Sequence, residues 1–130
     1  MNWLTPALCL IALLGTLGCS SIQQTSLSGK WTLQKGDEKL ADLTFGPGET
    51  FQFDAAAFNG VEAQGRTHRE GRQITFINER GTDAAASDPA PGTYLYSIDG
   101  DILTFGKISD PIQRRATFLS KPWTRATLSP

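Results

Sequence analysis

The sequence predicts an all-β fold: a small antiparallel up-and-down barrel of seven to eight strands, with a short helix over residues 111–119. Three observations carry this. Apolar and polar residues alternate with period two along residues 29–127. Turn-forming residues punctuate the alternation every several positions, so that consecutive strands join as hairpins. A chain of 130 residues holds one domain, and a meander of hairpins hides both of its edges by closing on itself. A sandwich is the alternative arrangement.

The elements follow in order. Gly29–Lys35 alternates, with Trp31 and Leu33 on one face and Lys30, Thr32 and Gln34 on the other. Lys39–Phe45 runs into the turn Gly46-Pro47-Gly48-Glu49 and out along Thr50–Asp54, so that Leu43, Phe45, Phe51 and Phe53 share a side. Asn59-Gly60 opens Val61–Arg69, whose small face is Val61, Ala63, Gly65 and Thr67. Glu70-Gly71-Arg72 turns the chain into Gln73–Asn78, with Ile74 and Phe76 inward. Arg80–Gly92 is a loop rich in Ala, Asp, Pro and Gly. Thr93–Ile98 alternates through Tyr94, Tyr96 and Ile98. Asp99-Gly100, expected in a type I′ turn with positive φ at both residues, leads into Asp101–Lys107. Asp110 as N-cap and Pro111 at the first helical position open the helix, with Ile112, Ala116 and Leu119 on one face. Lys121–Thr127 is the final strand.

The chain before this domain is different. No charged side chain precedes Lys30, and Ala7–Leu14 is a continuous apolar run. That run is shorter than the roughly 20 residues that span a bilayer and suits the central region of a signal peptide. Thr16-Leu17-Gly18-Cys19 resembles the lipobox of bacterial lipoproteins. The resemblance implies cleavage before Cys19, which then carries a diacylglyceryl thioether and an acylated amine. Ordinary secretory cleavage nearby is the alternative. With Ser20 and Ser21 following, and no Asp beside the cysteine, the implied destination is the outer membrane, facing the periplasm. The expected division is signal peptide 1–18, lipidated cysteine and flexible tether 19–28, and barrel 29–130. Cys9 leaves with the signal peptide, so the mature domain has no disulfide.

Gly29-Lys30-Trp31 opens the first strand as Gly-x-Trp opens lipocalin-like (calycin) barrels. In that family the Trp closes one end and a late Arg packs across it. Arg125 in Pro122-Trp123-Thr124-Arg125 holds the matching place, and Gly92–Arg125 also resembles small bacterial lipocalin-like proteins. The resemblance implies a non-enzymatic domain that binds a small apolar or amphipathic ligand in its barrel. Phe53, Phe76, Tyr94 and Tyr96 are the candidate pocket residues. A filled barrel would instead suit a protein-interaction module, such as an envelope-stress component or a lysozyme inhibitor.

Composition and motifs exclude more than they assign. Twelve Lys and Arg balance thirteen Asp and Glu, leaving no broad basic face for nucleic acid. His68, the sole histidine, falls on the polar face with Glu62, Gln64 and Arg66, which is a poor metal site. Asp37/Glu38 and Asp99/Asp101 lie in or beside turns, where carboxylates bond backbone amides. The sequence has no Gly-x-Ser-x-Gly elbow, phosphate loop or His-Glu-x-x-His, and it calls for no cofactor. Arg66, Arg69, Arg72 and Arg80, and the adjacent Arg114-Arg115, read as a solvated mixed-charge surface, with anion binding by their forks as the lesser alternative.

Overall fold

Alternation makes each strand two-faced, and consecutive strands bury their apolar faces together by pairing in sequence. The computed structural model describes residues 26–55 and 60–126. Cys19 and residues 1–18, where the sequence leads one to expect an export signal, lie outside the described residues. The strands are β1 (Gly29–Lys35), β2 (Glu38–Gly46), β3 (Thr50–Ala55), β4 (Val61–Glu70), β5 (Gln73–Gly81), β6 (Gly92–Asp99), β7 (Ile102–Ser109) and β8 (Trp123–Arg125). The helix α1 (Gln113–Leu119) lies between β7 and β8. Their order is β1 to β8 in one closed barrel, every neighbour antiparallel. The predicted up-and-down barrel with one short helix is therefore the observed fold.

Most bounds shift by a residue or two, the helix starting at Gln113 and β7 running from Ile102 to Ser109. Three differences from the sequence reading have a physical cause. The β6–β7 turn is centred on Gly100-Asp101, because Asp99 pairs with Ile102. Gly100 has φ 61° and Asp101 is not in the positive region, which is the type II′ pattern rather than I′. β5 runs on to Gly81, because a bulge lets it follow β4 further: Gln64 pairs with Arg80 but Gly65 with Asn78. β8 begins only at Trp123, consistent with Pro122, which has no N–H for a ladder.

The bulge depends on Gly65. A Cβ there would lie 2.0 Å from the Ile77 carbonyl oxygen, which is backbone and cannot swing aside. Gly65→Ala is expected to cost about 2 kcal/mol, read as a lower urea midpoint with an unchanged slope. An unchanged midpoint would show that β5 can move away.

Up-and-down topology gives the barrel two distinct ends. One end carries Leu27, the Gly71-Arg72 and Gly100-Asp101 turns and the finish of β8. The other carries Gly36-Asp37, the loop 82–91 and α1. Between them the interior is packed with rings. Phe76 lies 5.3–6.1 Å from the centroids of Phe45, Phe51, Tyr94 and Phe105. Trp31, Trp123, Tyr94, Phe76, Leu43, Ile74 and Leu103 are fully buried. Trp123 Nε1 is buried with no hydrogen-bond partner among the described residues, and Phe53 meets its indole edge-on at 6.4 Å.

Candidate functional site: the plugged mouth

Helix α1 stops the end of the barrel that carries the loop 82–91. Ile112 and Leu119 are buried beneath it, while Gln113 and Thr117 face water. The predicted cap is not used as expected: Ile112 occupies the N-cap position and no side chain caps the helix. Asp110 instead turns back on its own chain, its Oδ1 accepting the Ile112 N–H at 2.9 Å in an Asx turn. That geometry leaves both carboxylate oxygens facing inward, where Arg115 takes them bidentately.

Arg115 Nε donates to Asp110 Oδ2 at 2.7 Å and Nη2 donates to Oδ1 at 2.8 Å. The Asp110 side chain is wholly buried and that of Arg115 is 9% exposed. Two of the three remaining guanidinium hydrogens reach Asn78 Oδ1 at 3.2 Å and the Ala90 carbonyl at 2.8 Å. The Tyr94 hydroxyl donates to Asp110 Oδ2. Gly92 makes room for the pair, because a Cβ there would lie 2.5 Å from Arg115 Nη2 and Asp110 Oδ2. The expectation that Arg114 and Arg115 are both solvated therefore fails for Arg115. Successive helical residues are turned about 100° apart, so one arginine enters the interior while the other stays at the rim.

Arg114 at the rim grips the loop 82–91. Its Nη1 and Nη2 reach Asp83 Oδ2 and Oδ1 at 2.9 and 2.6 Å. Asp83 Oδ1 also accepts the Ala86 N–H at 2.9 Å, which folds the loop with Ala86 buried. The Arg114 hydrogen bonds hold the Asp83 carboxyl down to about 2. Helix and loop are thus clasped together, outside by Arg114–Asp83 and inside by Arg115.

Burial opposes charge on Asp110, but hydrogen bonds from Arg115, Tyr94 and the Ile112 amide outweigh it, leaving the carboxyl below its usual range. Burial and the neighbouring Asp110 push the Tyr94 phenol well above its usual range. The signs are opposite. A depressed carboxyl stabilises fully above its unfolded pKa of about 3.9 and loses that contribution as acid protonates it in the fold. A raised phenol stabilises fully below its unfolded pKa of about 10 and loses it as pH climbs further. Stability measured by urea midpoints is expected to fall below about pH 4, less so in Asp110→Asn. It is expected to fall above about pH 10, less so in Tyr94→Phe. Profiles that superimpose on wild type would remove this network from the pH response.

Beneath the plug lies a void of about 50 Å³, lined by Leu43, Phe51, Phe53 and Phe76 from the barrel and by Ile112, Phe118 and Leu119 above. Phe53 and Phe118, which both line it, meet edge-on with centroids 4.9 Å apart. Of the four candidate pocket residues, Phe53 and Phe76 line this void and Tyr94 and Tyr96 do not. Tyr94 is committed to Asp110, and the Tyr96 hydroxyl lies 3.5 Å from the Gly71 carbonyl at the opposite end.

That opposite end is sealed by Trp31, whose Nε1 donates to the Leu27 carbonyl at 2.9 Å. The Arg125 guanidinium carbon stands 4.2 Å over the Trp31 ring. Its Nη2 donates to the Ser26 carbonyl at 2.8 Å, and Gly29 enters β1 with φ 107°. His68 is exposed beside Glu70, with Nε2 and Oε1 3.0 Å apart. Among the described residues no group of three His, Cys, Asp or Glu side chains could hold a metal ion. No protein-family model, curated protein or solved structure matches this chain.

Proposed function

We propose that this chain is a membrane-anchored, lipocalin-like lipoprotein with no catalytic role, whose filled barrel works as an interaction module through its outer surface. The filled interior carries the reading. A void of 50 Å³ is about a third of the roughly 150 Å³ cavity that admits benzene. It is far below the roughly 300 Å³ at which ligand pockets begin. Native mass spectrometry of the protein extracted from its own membrane tests this. The expected mass is that of the acylated chain alone; a stoichiometric apolar passenger would overturn the reading.

A small apolar or amphipathic ligand inside the barrel is the second reading, favoured by the apolar lining of that void. It requires α1 to leave the mouth. Saturable binding of a naphthalene-sulfonate dye to the wild-type protein would support it.

The anchor rests on the Thr16–Cys19 lipobox resemblance. Two or more acyl chains on one residue hold stably where one does not. Cys19→Ser is expected to move the protein to the soluble fraction on cell fractionation. Undiminished membrane association would show that another element anchors it.

A further inference from the structure

The outer face of β2–β5 bears a groove that the barrel interior does not explain. Two adjoining concavities, of about 320 and 220 Å³, share Gln52, Gln64 and Arg80 in their lining. The register makes these three a single row, since Gln52 pairs with Gln64 and Gln64 with Arg80. Thr44 extends the row on β2, opposite Gln52. The hollow coincides with the bulge that Gly65 permits. Asn78 keeps the inward alternation of Ile74 and Phe76, and past it the bulge leaves Glu79 and Arg80 both on the outer face. Bulges of this kind re-aim side chains beside binding sites.

The charges divide usefully. Arg66 Nε is paired with Glu79 Oε2 at 2.9 Å, so that cation is already answered. The side chains of Gln52, Gln64 and Arg80 have no hydrogen-bond or ion-pair partner among the described residues. Glu62 also lines the smaller concavity, its carboxylate likewise without a partner among the described residues. Each of these four groups is planar and presents two hydrogen-bonding positions side by side. Paired positions of that kind match neighbouring hydroxyls on a sugar ring, and a guanidinium fork matches a carboxylate. Ala63 and Phe51 are the apolar side chains of the lining, and Phe51 is itself buried in the core, which disfavours a peptide that needs pockets for its side chains.

We infer that this groove binds a carboxylate-bearing saccharide, with Arg80 on the carboxylate and Gln52, Gln64 and Glu62 on ring hydroxyls. The inference rests on the reading that the chain acts through its outer surface, and it names the ligand class for one part of that surface.

The test is a glycan array carrying uronic, sialic and muramic acids alongside their neutral counterparts and sulfated glycans. It is probed with the full protein in a polyoxyethylene detergent, which contains no sugar. Carboxylated glycans are expected to bind about tenfold better than their neutral counterparts, and Arg80→Gln to remove that margin. Gln64→Ala is expected to weaken binding to carboxylated glycans severalfold, and Arg69→Gln to leave it unchanged. Binding to no glycan, or a margin that survives Arg80→Gln, overturns the inference. So does equal binding to every sulfated glycan, which would mark a bare anion site. A blank array beside a passenger-free mass spectrum removes the groove but leaves the surface reading intact.

Discussion

Arg115→Ala is expected to destabilise the fold by about 3–5 kcal/mol, among the largest effects that single substitutions should produce. The substitution strands the Asp110 carboxylate, whose side chain is wholly buried, and frees the Asn78 amide oxygen and the Ala90 carbonyl as well. Asp110→Ala leaves the cation stranded instead and should cost a similar amount. Removing both charges together should cost well below the sum, because neither variant then buries an unpaired ion. Arg115→Lys is not a conservative exchange here, since an ammonium cannot make the forked contact with Asp110 and still reach Ala90. Urea denaturation of the four variants measures all of this. A loss under about 1 kcal/mol for Arg115→Ala would mean that water reaches the pair and that the plug is looser than its hydrogen bonds indicate. Partial unplugging has its own signature: protection of α1 amides from exchange should drop before that of β2–β5.

Trp31→Ala should cost about 3–5 kcal/mol. The ring is fully buried, its N–H holds the Leu27 carbonyl, and it supports Arg125. Trp31→Phe keeps most of the volume but loses the hydrogen bond, and is expected to cost less. Arg125→Ala removes the stacked cation and the contact with Ser26 and should cost about 1 kcal/mol. The order Ala worse than Phe, and both worse than Arg125→Ala, is the claim to check by thermal unfolding. An Arg125→Ala loss as large as Trp31→Ala would show that the guanidinium, not the indole, seals this end.

The strands were legible because alternation and turns are local signals. Leu43, Phe45, Phe51 and Phe76 all face the interior as their positions predict. The boundaries that moved did so for non-local reasons. β5 gains Glu79 to Gly81 only because β4 supplies Gly65 opposite. The plug was less legible. Asp110-Pro111 announced a helix start, but the carboxylate serves Arg115 rather than a helix cap, and nothing in a local window says which. Two signals could have exposed the network. Asn78 continues the inward series of Ile74 and Phe76, and a polar residue in such a place needs a partner. Arg114 and Arg115 are neighbours on a helix, about 100° apart, so a helix that stops a barrel can keep one at the rim while the other enters. Whether an interior is filled depends on how rings from different strands mesh, and that is not written in any one of them.

The eighth strand offers two residue pairs to each neighbour, linking Trp31 with Arg125 and Leu103 with Trp123. In time, rather than in space, this makes the first strand the last to be satisfied. The hairpins from β2 to β7 are local and can form as each is made, since short loops close cheaply. β1 must keep one side open until Arg125 has emerged, near the far end of the chain. Through that interval its unpaired edge is the part of the molecule most exposed to a wrong partner.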